Sequence, residues 1–336
     1  MFAAHTIYLP TEHVYDGRSA ILFATLAGVS LGLMTGGPTP PAAIADRRAA
    51  RLTVLIRGCA LILLGSLLAL AQPPLAVILD FYGFAFLLLI PVLLVRPAVA
   101  AGLAVAVAVA GPGIVGALTA GTDPSGLPAP VRLFADWLVF GPYPVLVWAA
   151  FVLAGLALGR SPLGRRRTAL TALAGGTLLA AGGYAVALAP GITADAHSGT
   201  TAEVVGSGGV ALAVIGAFSL LDSATGVGEK VARVVRLVLS PLAAAGSMPL
   251  TIYTAHAIAL AVIRAATIDG PRWEPPGWVL PVLVVGALVF AVLWRRFVGP
   301  GPLEALLRLV TRAAVRPSAG GESPVPDEPP APRLTP

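Results

Sequence analysis

The sequence predicts an all-α integral membrane protein, a polytopic helical bundle of about nine spans with a truncated helix in front of them. Two observations favour this fold class. Of the 336 residues, 57% are hydrophobic and 11% are charged, and the mean hydropathy is +0.88. A soluble domain carries about 25% charged residues. Apolar runs that are long enough to cross a bilayer also recur along the whole chain.

Nine apolar runs reach the length of about 20 residues that a helix needs to cross the hydrocarbon core. They cover residues 19–35, 53–71, 75–95, 98–118, 139–159, 168–189, 204–222, 247–267 and 278–296. Runs such as 98–109 are apolar on every side and lack the alternating pattern of barrel strands. We therefore expect helices, which satisfy all of their backbone groups within one segment.

The lysines and arginines predict the orientation of the spans in a bacterial inner (cytoplasmic) membrane. If the nine spans alternate, most basic residues share one side: Arg47, Arg48, Arg51, Arg57, Arg96, Arg160, Arg165, Arg166, Arg167, Lys230, Arg233, Arg236, Arg295, Arg296, Arg308, Arg312, Arg316 and Arg333. The other side holds Arg18, Arg132, Arg264 and Arg272. By the positive-inside rule, residues 1–18 lie outside and the C-terminus is cytoplasmic. Bases dispersed in this way do not predict a nucleic-acid partner.

Three segments differ from this pattern. Residues 1–312 are predicted to form the transmembrane domain, and residues 313–336, rich in Pro, Gly, Ser and acids, a disordered cytoplasmic tail. Residues 1–9 are apolar but too short to span, and we expect them to be the outer end of a helix that starts upstream. Residues 227–242 carry bases three apart among Val and Leu. This predicts a cytoplasmic interfacial helix or an extension of the preceding span.

A first candidate site precedes the first span, where His13, Asp16 and Arg18 lie within six residues. A carboxylate beside a histidine can orient it as a general base or nucleophile. Arg18 can stabilise an anionic group. The alternative interpretation is an interfacial loop whose charged side chains extend to the headgroups.

A second group of polar residues lies between the sixth and seventh runs, where Asp195, His197 and Glu203 precede the glycines of residues 206–209. Glycines at a helix start allow close approach of a ligand or of another helix, and helix packing is the favoured interpretation here. His256 lies within the eighth run, where an ionisable group is a functional candidate. With one cysteine and no HExxH, CxxC or DxDxDG motif, no metal site is predicted.

Several segments together resemble a known family, the bacterial membrane proteins related to heparan-alpha-glucosaminide N-acetyltransferase and to YeiB. These segments are residues 17–33 (GRSAILFATLAGVSLGL), 143–160 (YPVLVWAAFVLAGLALGR), His197-Ser-Gly-Thr with Gly206-Ser-Gly, Tyr253-Thr-Ala-His256 and 301–308 (GPLEALLR). The resemblance extends over roughly residues 1–312. Each motif is moderately specific, and their order along the chain adds to the resemblance.

The resemblance implies a transmembrane acyltransferase, in which acetyl-CoA on the cytosolic side supplies an acetyl group to a sugar amine outside. His5 matches the histidine at the outer end of the family's first helix, and His13 the one before its second helix. His5 or His13 would then be the base or transient acyl carrier, Asp16 would orient it and Arg18 would stabilise charge. Asp195, His197, Tyr253 and His256 would line the acceptor path.

The implied partners are membrane lipid and an envelope glycan or lipid-linked sugar, and a homo-oligomer is compatible with the pattern. Two other functions stay open. A transporter or flippase would use His256 and the outer carboxylates as a proton relay or substrate site, although the chain shows no convincing inverted repeat. A non-catalytic envelope protein would carry the same polar residues without chemistry.

Overall fold

In the computed structural model, residues 1–7, 15–223, 225, 227–267 and 273–315 are described, and within these ranges every regular element is a helix. The α-helices are α1 (Phe2–Thr6), α2 (Arg18–Met34), α3 (Ile44–Leu70), α4 (Leu79–Leu89), α5 (Pro97–Thr119), α6 (Ala129–Ala135), α7 (Val145–Gly159), α8 (Arg166–Val186), α9 (Thr201–Asp222), α10 (Val227–Val238), α11 (Ser240–Gly246), α12 (Pro249–Thr267), α13 (Val279–Phe297) and α14 (Pro302–Ala314). The predicted tail falls almost wholly on residues 316–336, outside the described residues.

The predicted fold class is confirmed: the protein is an all-α polytopic membrane protein. Among the described residues, six helices are long and apolar enough to cross a membrane, namely α3, α5, α8, α9, α12 and α13. α6 continues through Phe140 and makes a bent pair with α7, at an angle of 58°. α2 and α4 are shorter apolar helices. Each of the nine predicted runs corresponds to one of these elements.

The bend before α7 follows from the sequence Gly141-Pro-Tyr-Pro144. Proline cannot donate a backbone hydrogen bond, so a helix stops before it. Residues 141–144 accordingly separate the two halves of the bent pair. The break places Tyr143 beside the first turn of α7, where it becomes part of the candidate site.

The core is built around α7, which packs against α2, α4, α5 and α9 and is buried over most of its length. A helix that is apolar on every side belongs at such a central position. Gly28 and Gly32 of α2 face Gly155 and Gly159 of α7, and a Cβ atom on any of the four would lie within 3 Å of the other backbone. These are paired GxxxG motifs, which let two helices approach closely.

The closest packing of the remaining helices joins α8 to α9. A Cβ atom on Gly209 would overlap the backbone of Ala180, and one on Gly183 would overlap Gly206. The helix-packing interpretation of the glycines at 206–209 is therefore confirmed for Gly206 and Gly209. Gly208 instead lies beside the ring of Phe151.

The two ends of the bundle differ in character. The His197 end contains residues 15–17, 72–78, 141–144 and 193–200, which adjoin the starts of α2, α4, α7 and α9. The Arg160 end contains the last turns of α2 and α7 and the first turn of α8, with Arg165, Arg166 and Arg167. Several of the predicted site residues lie at the first end, and a cluster of arginines lies at the second.

The short helices α10, α11 and α14 lie at the Arg160 end. α10 is separate from α9, as the interfacial-helix interpretation predicts, and Arg236 folds it back by donating to the carbonyl of Leu221 at 2.6 Å. In α14, the Glu304 carboxylate accepts hydrogen bonds from the backbone amides of Leu250 at 2.7 Å and Thr251 at 3.1 Å. Because these amides open α12, Glu304 caps the helix that carries Tyr253 and His256.

Candidate functional site

A cavity of about 340 Å³ lies at the His197 end of the bundle. Its volume is within the range of about 300–1,000 Å³ that is typical of small-molecule sites. Residues from separate parts of the chain line it, among them His5, Asp16, Gly17, Tyr143, His197 and Tyr253. Four of the predicted site residues, His5, Asp16, His197 and Tyr253, therefore meet in one cavity.

Tyrosine hydroxyls fix the walls of this cavity. The Tyr253 hydroxyl accepts a hydrogen bond from the amide of Ile78 at 3.2 Å, which joins α12 to the start of α4. Tyr143 donates to the carbonyl of Ala76 at 3.4 Å, and Tyr82 donates to the carbonyl of Ala20 at 3.0 Å. The first two bonds hold residues 72–78 against α12 and against the segment before α7, and the third joins α4 to α2.

His5 lines the cavity, and the ring of His256 stacks on the ring of His5, with centroids 5.1 Å apart and an interplanar angle of 9°. His256 is 3% exposed, and the ring of Phe2 lies 4.6 Å from it. Within the described residues, neither nitrogen of His256 nor Nδ1 of His5 has a hydrogen-bond partner. Buried polar atoms without partners are rare and cost free energy, so they mark a candidate for function.

Burial determines the protonation state of His5. It lowers the pKa of the His5 imidazole from 6.5 to about 4, with smaller contributions from the N-terminal amino group and from His197. A histidine with so low a pKa is neutral at pH 7. Its unprotonated nitrogen can then accept a proton, as a general base must.

His197 lies on a loop with an unusual backbone, since its φ is 61°, in the left-handed region. The centroid of its ring lies 5.5 Å from that of Tyr143. The ring also stacks on Trp148, with centroids 6.2 Å apart and an interplanar angle of 14°. Glu203 is 4% exposed and accepts hydrogen bonds from the amides of His197 at 2.6 Å and Gly199 at 2.7 Å. The first turn of α9 thus holds the loop that presents His197.

A prediction follows for Glu203→Gln, which replaces one of the two acceptor oxygens with a donor. One loop amide then faces another donor, and we expect a loss of about 1–3 kcal/mol of stability. The amides of residues 197–199 should exchange faster with deuterium. Glu274→Gln, an exposed carboxylate in the described part of the same end, is the matched control. Unchanged exchange in Glu203→Gln would contradict the role assigned to Glu203.

The segment before α2 is fixed against the His197 loop. Gly17 has a φ of 65°, and a Cβ atom there would lie 2.8 Å from the Cβ of Ala196. Arg18 does not line the cavity: its Nε donates to the Tyr184 hydroxyl at 2.8 Å, and its guanidinium lies 5.3 Å from the ring centroid of Tyr184. Asp16 reaches the cavity, while Arg18 points towards α8.

The other predicted site residues occupy different positions. His256 lies behind His5 rather than in the cavity wall. Asp195 is exposed and does not line the cavity, and its backbone forms a turn through Thr193 and Ser198. His13 lies outside the described residues.

Asp80 is a half-buried acid near the cavity that sequence reasoning did not select. Its Oδ2 accepts a hydrogen bond from the indole of Trp137 at 2.9 Å, and its Oδ1 is buried with no partner among the described residues. A lone carboxylate inside the apolar run of residues 75–95 was the available signal. Glu203 had a signal too, since Thr200 and Glu203 have the spacing of a capping box.

The comparisons with known proteins bear on the second half of the chain. Residues 157–314 match the family described as "Protein of unknown function (DUF418)". DUF418 is a family of YeiB-like membrane proteins. The match agrees with the YeiB part of the resemblance over these residues, which include His197, Glu203, Tyr253 and His256. No curated protein and no solved structure matches the chain, and the relation to heparan-alpha-glucosaminide N-acetyltransferase stays a prediction.

Proposed function

We propose that this protein is an integral membrane acyltransferase that moves an acetyl group from acetyl-CoA to a cell-envelope glycan or lipid-linked sugar. The observation that carries the proposal is the cavity in which His5, Asp16, His197 and Tyr253 meet. A neutral imidazole, a carboxylate and a phenol hydroxyl around one volume are the groups that acyl transfer to an amine or a hydroxyl uses.

His5 is the base in this proposal. Its neutral imidazole removes the proton from the acceptor as the acceptor nitrogen or oxygen attacks the thioester carbonyl. The carbon–sulfur bond breaks, and the thiolate of coenzyme A leaves and takes up the proton. If His5 is a transient acyl carrier, its own nitrogen attacks first and the acceptor then attacks the acetyl-imidazole. Asp16, His197 and Tyr253 orient the acceptor by hydrogen bonding.

The opposite end of the bundle offers a place for the donor. A cavity of about 950 Å³ there is lined by Arg236, Arg295 and Arg296. Arginine pairs with phosphate through two parallel hydrogen bonds. Arg236 already pairs with Asp222, which also lines this cavity, so Arg295 and Arg296 are the guanidinium groups that would contact the phosphates of coenzyme A. The positive-inside rule supports a cytoplasmic Arg160 end and C-terminus and an inner-membrane location, with residues 1–18 outside. Donor and acceptor would then enter from opposite sides.

Radiolabelled acetyl-CoA supplied to proteoliposomes tests the proposal. We expect label on an envelope amino sugar acceptor with the unchanged protein, and its loss in His5→Gln, because glutamine cannot serve as the base. Glu274→Gln, away from the cavity, should keep full transfer. Label transfer at the unchanged rate in a folded His5→Gln would rule out His5 as the base. If the acceptor crosses the bilayer but receives no label, the result would contradict the acyltransferase proposal and favour a transporter.

The pH dependence of the same assay provides a second readout. Because the pKa of His5 is lowered to about 4, the rate should hold as the pH falls from 8 to about 5 and drop near pH 4, where the imidazole gains its proton. An imidazole with an ordinary pKa would give a fall near pH 6.5. An acid limb near pH 6.5 would therefore exclude the buried His5 as the group that limits the rate.

A further inference from the structure

The largest feature that the proposed reaction does not use is a groove of about 700 Å³ between α5 and α8. α7 and α9 form its floor, and Phe151 is part of that floor. The ring of Phe151 contacts Trp148 at 5.4 Å, and Trp148 in turn stacks on His197. An aromatic layer therefore separates this groove, called here the α5–α8 groove, from the cavity of His5.

Small side chains create the α5–α8 groove. Ala101 on α5 and Gly175 on α8 line it, and Val105 and Leu179 at its edges are 63% and 46% exposed. It therefore opens sideways, on the face of the bundle that meets the bilayer. Its lining on α5 extends from Pro97 to Val109, which is about 18 Å of helix. One leaflet of the hydrocarbon core is about 15 Å thick, so the groove can hold a whole acyl chain.

One end of the α5–α8 groove is polar and basic. Ser161, Arg167 and Thr168 line it at the Arg160 end. Arg165 and Arg166 precede Arg167 directly in the chain. Among the described residues, no carboxylate pairs with Arg167. A ligand that complements the α5–α8 groove therefore carries a negative charge at this basic end and a hydrocarbon chain along the apolar remainder.

We propose that the α5–α8 groove binds one anionic phospholipid. Its phosphate diester contacts Arg167 and the hydroxyls of Ser161 and Thr168, and one of its acyl chains lies between α5 and α8 against Phe151 and Gly208. Arginine and hydroxyl groups recognise phosphate oxygens, and basic pockets between transmembrane helices bind anionic headgroups. This site is independent of the acyltransferase proposal, because none of its residues lines the cavity of His5.

Native mass spectrometry from nanodiscs of equal parts phosphatidylglycerol and phosphatidylcholine tests the site. The unchanged protein should retain phosphatidylglycerol about fivefold over phosphatidylcholine. Gly175→Leu fills the groove and should remove the retained lipid. A Cβ atom on Gly175 meets nothing within 4 Å, so the fold should tolerate it. Gly182→Leu, also unobstructed on α8 but outside the groove, is the matched control.

Arg167→Gln tests the headgroup contact separately. It should abolish the preference for phosphatidylglycerol, whereas Arg166→Gln, which does not line the groove, should keep it. If Gly175→Leu fails to fold, Ala101→Leu on the opposite wall replaces it. Equal retention of the two lipids by the unchanged protein, or retention unaffected by a folded groove-filling variant, would overturn the proposal.

Discussion

Replacing Arg160 with methionine is expected to lower the free energy of unfolding by about 3 kcal/mol or more, because each buried acceptor left without a donor costs about 1–3 kcal/mol. Arg160 is 2% exposed. Its guanidinium donates to the carbonyls of Thr35 and Gly37, both at 2.9 Å, and of Leu93 at 2.8 Å. Methionine fills a similar volume but supplies no donor for any of them.

The charge of Arg160 is compensated by helix ends, since no carboxylate hydrogen-bonds to it among the described residues. α2 ends at Met34, a 3₁₀ turn ends at Val92, and α7 ends at Gly159 beside Arg160 itself. The C-terminus of a helix carries a partial negative charge, and a cation placed there is stabilised. Three such ends around one guanidinium explain how a buried charge persists.

Thermal unfolding in detergent or nanodiscs measures this effect. Arg165→Met, five residues later and exposed, should be close to neutral. The stability of Arg160→Lys should lie between those of Arg160→Met and Arg165→Met, because an ammonium keeps the charge but cannot match the planar arrangement of the guanidinium donors. An Arg160→Met protein as stable as Arg165→Met would show that the helix ends do not depend on Arg160.

Gly155→Leu is expected to prevent α2 and α7 from packing, at a cost of about 3 kcal/mol or more. A Cβ atom on Gly155 would overlap the carbonyl oxygen of Thr25, and one on Gly28 would overlap that of Val152. Because the obstacle is backbone rather than a flexible side chain, the two helices must move apart. The loss should therefore reach the upper part of the range for overpacked cores.

Gly102→Leu is the matched control, since a Cβ atom on this exposed residue of α5 meets nothing within 4 Å. We expect Gly102→Leu to melt close to the unchanged protein, while Gly155→Leu loses its folded fraction in size-exclusion chromatography. Equal melting temperatures would contradict the close approach of α2 and α7.

The nine runs were predictable because hydropathy and length alone decide which segments can enter a bilayer. The bases spaced three apart in residues 227–242 predicted either an interfacial helix or an extension of the preceding span, and the structure has a separate helix there, α10. Residue types and their spacing indicated Asp16 and His197 as candidate site residues, and the resemblance added His5 and Tyr253. In each case the signal lies within a few neighbouring residues of the chain.

The pairing of distant residues was not predictable in this way. In the sequence, Arg160 is one of many basic residues at the end of an apolar run. Only its contacts with Thr35, Gly37 and Leu93 show that it is buried and links three parts of the chain. Arg18 was predicted to stabilise charge at the reaction, but it points to Tyr184 on α8. Asp80 lies inside the run of residues 75–95, and its indole partner Trp137 lies 57 residues away in the chain.

The sequence by itself determined that this is a helical membrane protein and which short segments carry polar groups, because both depend on local composition against a fixed bilayer thickness. Only the tertiary structure decided that His5 stacks on His256, that Glu203 holds the His197 loop and that α5 and α8 leave a groove between them. These features depend on which helix faces meet, and that is set by glycine-dependent packing across the bundle rather than by hydropathy.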